Sequence, residues 1–374
     1  MPANVLLVVD LVLSHLVDAP GCGLSRPSVR YSILVRLSLV SRSIRASIDP
    51  ILYSHVVVSA GNSQLVPLLA ALESNPERAR QIRRLSLVSR HNDPARWDRG
   101  HVDELVELCT EVRELVVAIP TSFGMRANFL NSDALANLTS LTMATPLQPR
   151  RPFDRRPRPP RFTLSTLSLL SPFSPRSSLS FVSTVDVLLA PKSDGSSSLS
   201  QLVHLDLFDS HHHPLTLPPR LATSVFGTLT TLLLPRHTHT HSYLPRGETR
   251  YSCDEPTNVH PSRTFLDLFS LSSASRLKYV YLPSLGHVGS IHHLPRSVER
   301  LVIGPSLLPA GEVERADVLE DLGACLINAR ADLREVGLVL RRASRGPSVE
   351  GELRRLVERV EQGREACRVE VVWT

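Results

Sequence analysis

A six-residue pattern with aliphatic side chains at its first, fourth and sixth positions recurs along the chain. It occupies Ile82–Leu87, Val112–Val117, Leu138–Met143, Leu164–Leu169, Leu202–Leu207, Leu229–Leu234, Leu277–Leu282, Val298–Ile303 and Leu333–Leu338. Side chains alternate along a strand, so the fourth and sixth positions share one face and the third and fifth share the other. Short strands returning every 20 to 50 residues mark stacked-repeat architectures. The count alone carries nothing: Val, Ile, Leu and Met fill 111 of 374 positions, and random order would give about ten such windows. The context carries more. Helical spacing precedes an expected strand at Leu65/Leu68/Leu69/Leu72, at Val102/Leu105/Val106/Cys109, over Val313–Ala329 and over Val349–Glu365. Asn75-Pro76 ends the first of these helices, and the last strand is expected at Val369–Trp373. Helical crossovers join parallel strands, so the expected class is α/β, a repeat solenoid with a curved parallel sheet.

Charge and composition narrow the function classes. The net charge is +6, and the six arginines of Arg150–Arg161 match that excess. A proline-rich basic loop of this kind is an exposed arm, which points to one local patch rather than a nucleic-acid-binding surface. Five scattered cysteines without a CxxC pair give neither a disulfide framework nor a zinc ribbon. The apolar N-terminus carries Asp10 and lacks a basic leader, and no run of about 18 apolar residues exists to span a membrane. A cytoplasmic or nuclear protein is expected. The phosphate-binding, dinucleotide, serine-hydrolase and zinc-protease signatures are all absent, so no enzyme activity, cofactor or metal is expected. His211–His213 and His237/His239/His241 read as low-complexity loop histidines.

The first 58 residues have their own character. Val5–Val17 reads as a helix, a second is expected over about Tyr31–Ile48 before Pro50, and Ile51–Val58 reads as a strand. Three stretches stand out: Met1-Pro2-Ala3-Asn4-Val5-Leu6 running on to Leu13-Ser14-His15-Leu16, Leu37-Ser38-Leu39-Val40-Ser41-Arg42-Ser43-Ile44-Arg45, and Ile51-Leu52-Tyr53-Ser54-His55-Val56-Val57-Val58. Together they resemble the divergent F-box of fungal F-box proteins with leucine-rich repeats. Met1 stands where that motif usually has Leu, and Ile44 where it usually has Trp.

The resemblance implies an F-box-like domain over 1–58 and degenerate leucine-rich repeats over 59–374; the uneven window spacing and the Pro-, Ser- and Arg-rich stretches at about 144–163, 171–200 and 235–262 read as loop insertions. The resemblance also implies a substrate-recognition subunit of an SCF-type, cullin-based ubiquitin ligase. Pro2, Leu6, Leu13, Leu16, Leu39 and Val40 match the motif's hydrophobic positions and would contact a Skp-type adaptor. A protein substrate would meet the outward strand positions, among which His204, Asp206, Tyr279, Tyr281 and Arg300 stand out; Tyr and Arg are residue types that anchor interfaces. Two other readings stay open: a repeat scaffold whose first helices only cap it, and a nucleic-acid binder using the arm 150–161.

Overall fold

The computed structural model describes residues 36, 39–59, 61–89, 97–119, 125–145, 147, 159–170, 181–208, 220–234, 275–282 and 285–374. Among them, strands and helices alternate along most of the chain. The order is α1 (Arg42–Ser54), β1 (His55–Val58), α2 (Asn62–Glu73), α3 (Pro76–Gln81), β2 (Arg84–Val88), α4 (Arg99–Leu108), β3 (Glu114–Ala118), β4 (Ser140–Met143), β5 (Thr166–Leu170), α5 (Val182–Leu188), β6 (His204–Phe208), α6 (Arg220–Val225), β7 (Thr231–Leu233), β8 (Tyr279–Leu282), β9 (Arg300–Ser306), α7 (Glu312–Ile327), β10 (Glu335–Leu340), α8 (Pro347–Gly363) and β11 (Arg368–Trp373). The eleven strands form one parallel sheet whose hydrogen-bonded order follows the sequence from β1 to β11. No described helix is long and apolar enough to cross a membrane.

Each of the nine windows places its strand from the third position onward, and all 27 of its aliphatic positions are 4% exposed or less. The register of the third positions repeats along the described pairs, with one irregularity at the far end of β9 and β10, where Leu340 aligns with Ser306. His204 pairs with Thr166 and Thr231, Tyr279 with Thr231 and Arg300, and Glu335 with Arg300 and Arg368, so third positions face third positions throughout. The backbone ahead of each strand fixes this alignment. The second-position carbonyls of Arg83, Thr139, Ser165, Val203, Thr230, Lys278 and Glu299 each accept two amide N–H bonds, 2.8–3.1 Å long, from the second and third positions of the next window. A carbonyl has two lone pairs, and here both are used.

The chain divides into two compact units, Met1–Val116 with Asp133–Asn137, and Val117–Ser132 with Leu138–Thr374. In the first, Ser41 caps α1 by accepting the Ile44 amide, and Ile44, Ile48 and Leu52 form a buried cluster with Ile51 and Tyr53 against it. Pro50 does not end this helix: α1 runs through it to Ser54, so only His55–Val58 of the expected strand Ile51–Val58 is extended. Pro50 is exposed. The i, i+4, i+8 burial of Ile44, Ile48 and Leu52, at about 1.5–3 kcal/mol each, outweighs the roughly 3 kcal/mol that an interior proline costs. The expected start at Tyr31 lies outside the described residues; Arg36 is helical, Leu39 and Val40 form a turn, and α1 begins at Arg42. Asp49 receives Arg78 at 3.2 Å, and Arg78 also lies over the Tyr53 ring at 5.0 Å, which ties α1 to α3. His55 and Ser86 lie 3.3 Å apart on the outward face of β1 and β2, where burial, and then Arg84, hold the imidazole below its usual range.

In the second unit, buried hydroxyls tie the segments that follow the strands to their neighbours, from a turn (Thr145), from α5 (Thr184) and from the end of β9 (Ser306). Thr145 both accepts from the Ile119 amide and donates to its carbonyl; Thr184 accepts the Leu147 amide and Ser306 that of Leu285. The Ser-rich stretch 171–200, expected as a loop, contains α5: Phe181, Val185 and Leu188 follow helical spacing and are fully buried. Of the other expected insertions, Phe162 and Leu164 are buried at the end of the first, and 235–262 lies outside the described residues. The two long helices agree with their expected spans to within two residues; Leu319, Leu322 and Leu326 of α7 are buried, as are Leu353, Leu356 and Val360 of α8. Arg315 on α7 is 5% exposed and meets Glu352 on α8 through two bonds of 2.6 and 2.8 Å. Arg364 closes the end of α7 by donating to the carbonyls of Ala329 and Ala331.

Candidate partner-binding surface

Because the first, fourth and sixth positions turn inward, the third and fifth positions of every strand form two parallel rows on the opposite face. In the second unit the third-position row reads Ser140, Thr166, His204, Thr231, Tyr279, Arg300, Glu335 and Arg368. The fifth-position row reads Thr142, Ser168, Asp206, Leu233, Tyr281, Val302, Gly337 and Glu370. Adjacent strands lie about 4.8 Å apart, so row neighbours are within reach of each other.

Tyr279, Tyr281 and Arg300 are brought together. The Arg300 guanidinium stacks over the Tyr279 ring at 5.6 Å and reaches Glu335 at 3.1 Å. Burial pushes the Tyr279 phenol up, with the Arg300 charge opposing that shift, so it is a neutral phenol at physiological pH. The Tyr281 hydroxyl donates to the Gly304 carbonyl. Gly304 is required there: its φ is +120° and a Cβ would lie 2.0 Å from the Val339 oxygen, leaving no room for any other side chain. Glu335 completes the patch. It was absent from the sequence-based set because a lone Glu on a strand carries no signal until the register sets it beside Arg300.

His204 and Asp206 occupy the same two rows on β6, separated from the tyrosines by β7, and both are half-buried. Between the two sites lie Thr231 and Leu233. Leu39 and Val40 are 78% and 65% exposed, immediately before the Ser41 cap. Pro2, Leu6, Leu13 and Leu16 lie outside the described residues, as do both histidine clusters and all of the basic arm except Pro159–Arg161.

Among the described residues, the three cysteines, Cys109, Cys325 and Cys367, are buried. Burial pushes the Cys109 thiol up to about 12 and also raises that of Cys367. Cys325 is buried with its Sγ 3.2 Å from Nε2 of His292. The outward rows, by contrast, present hydroxyls, two phenols, paired charges and short aliphatic chains, a set suited to recognition by contact. No protein-family model matches the chain, and a search of curated proteins returns no match.

Proposed function

We propose that this chain is a non-catalytic receptor of the F-box type, with degenerate leucine-rich repeats forming an α/β solenoid. In this reading the N-terminal segment docks onto a Skp-type adaptor of a cullin-based ubiquitin ligase. The outward strand face holds a protein substrate, and ubiquitin transfer follows from the raised effective concentration of substrate near the conjugating enzyme. The observation that carries the reading is the in-register burial of all 27 window positions on strands that pair only with their sequence neighbours. That regularity supports a stacked-repeat body, whose role is to present an extended surface. Leu39 and Val40, exposed side by side within the F-box-like stretch and just before α1, support the docking half.

Co-expression with a Skp-type adaptor tests the docking. The intact chain is expected to co-purify with the adaptor, and Leu39→Asp with Val40→Asp to lose it without a change in melting temperature, since both side chains are solvent-exposed. Failure of the intact chain to co-purify overturns the ligase reading. The repeat scaffold is the second reading, favoured by the burial of Ile44, Ile48 and Leu52, which gives α1 the inward face a repeat cap needs. Under either reading Tyr279→Ala with Arg300→Ala strips captured proteins from the purified chain; if the captured set is unchanged, the outward face is not the partner surface.

A further inference from the structure

Beside the tyrosine patch, the segments entering β8–β11 carry five arginines, four in the turns before the strands and Arg368 at the first residue of β11. Arg276, Arg296, Arg330, Arg334 and Arg368 are all exposed. Among the described residues none of the five has a carboxylate within 4.0 Å, whereas their neighbours Lys278 and Arg300 are held by Glu299 and Glu335. Asp332 and Glu365 in the same turns leave the five arginines in excess. An open groove of about 420 Å³ runs between the turns entering β10 and β11, lined by residues 332–334 and 364–367. Four adjacent strands span roughly 14 Å, the length of about five residues of extended chain.

We propose that the partner engages this edge with an acidic, extended peptide segment. Its carboxylates meet these arginines at the strand-entry edge and one aromatic or aliphatic side chain rests against Tyr279. Exposed arginines in consecutive repeats, of which Arg334 also acts at longer range on Glu299, attract negative charge, and complementary charge sets register and association rate. Peptide fits better than nucleic acid. Glu299, Glu335, Asp332 and Glu365 interleave with the arginines, and a polyphosphate with charge at every step cannot avoid them. A peptide places carboxylates only where arginines stand. This inference rests on the outward face being a partner surface; it does not require adaptor docking.

Fluorescence anisotropy with the full-length chain tests it, using a Glu-rich peptide, its Gln-substituted twin and an RNA oligonucleotide of equal charge. The Glu peptide is expected to bind about tenfold or more tightly than its twin, to weaken as salt rises, and to lose that advantage in Arg334→Glu with Arg368→Glu. Both side chains are exposed, and circular dichroism verifies the fold. Equal binding of the two peptides, an advantage that survives charge reversal, or RNA binding as tight as the peptide's and lost in the same variant overturns the proposal. If the peptide advantage is absent while Tyr279→Ala with Arg300→Ala still strips captured proteins, the acidic class is wrong and the partner surface stands. If those substitutions strip nothing either, the surface reading fails with it.

Discussion

Leu205 shows what one window position contributes. It is fully buried at the centre of β6, aligned with Leu167 on one side and Leu232 on the other. Truncating it leaves a cavity walled by strands on both sides that cannot close inward. Leu205→Ala is therefore expected to cost about 2–5 kcal/mol, read by chemical denaturation of the second unit. A second residue-scale prediction concerns Glu352, whose carboxyl the Arg315 hydrogen bonds hold below its ordinary 4.5. A carboxylate depressed in the folded state adds stability above its unfolded value and loses it as pH falls through the folded value. Stability is thus expected to decline below pH 4.5 in the parent and to decline less steeply there in Glu352→Gln. The variant is also less stable at neutral pH, where Arg315 is left without its counter-charge; thermal melts across pH check both. Cys109, with its thiol pushed up to about 12 and no exposure, is expected to resist alkylation until the first unit unfolds.

Elements were legible in the sequence where one face was apolar and its period unbroken. The core side of every window could be read directly, because alternation fixes which residues turn inward. α1 was misjudged because Pro50 is a strong local stop signal, and only the tertiary burial on either side of it shows why the helix continues. α5 was hidden because serine dominates its neighbourhood, although Phe181, Val185 and Leu188 carry the spacing. β1 and β11 escape the six-residue pattern for a smaller reason: Tyr53 and Ala366 stand at the first position in register, where an aliphatic residue was sought. The outward pairing of Arg300 with Glu335 needed the register itself, since 35 residues separate the two. Two element-scale predictions follow from this. Pro50→Ala gives the Ala46 carbonyl an amide partner and is expected to stabilise the first unit by about 1–2 kcal/mol, measured by denaturant midpoint. Thr145→Val leaves the Ile119 amide and carbonyl buried without their hydroxyl and is expected to cost about 1–3 kcal/mol, most of it recovered by Thr145→Ser.

At the scale of the whole molecule, neighbour-only pairing makes stability a sum of local terms. Two compact units and a sheet without long-range crossovers give no reason for a single cooperative transition. Unfolding followed by different probes is expected to be non-coincident, with hydrogen exchange slowest near β9 and β10, where strands are longest and flanked on both sides. Coincident transitions from far-ultraviolet and tryptophan signals would contradict this.

The doubly accepting second-position carbonyl has a consequence for how such a chain can change over evolutionary time. Seven of the windows anchor the next through two backbone bonds, so alignment is restored locally at those steps, whatever lies between. The distance from one window to the next ranges from 21 to 48 residues, yet in the described pairs from β4 to β11 third positions stay aligned with third positions. Lengthening or shortening a connection therefore leaves every later strand in place. Lineages of this architecture can rewrite their connecting segments wholesale, and diverge past recognition in sequence, while each copy still reads the same two outward rows.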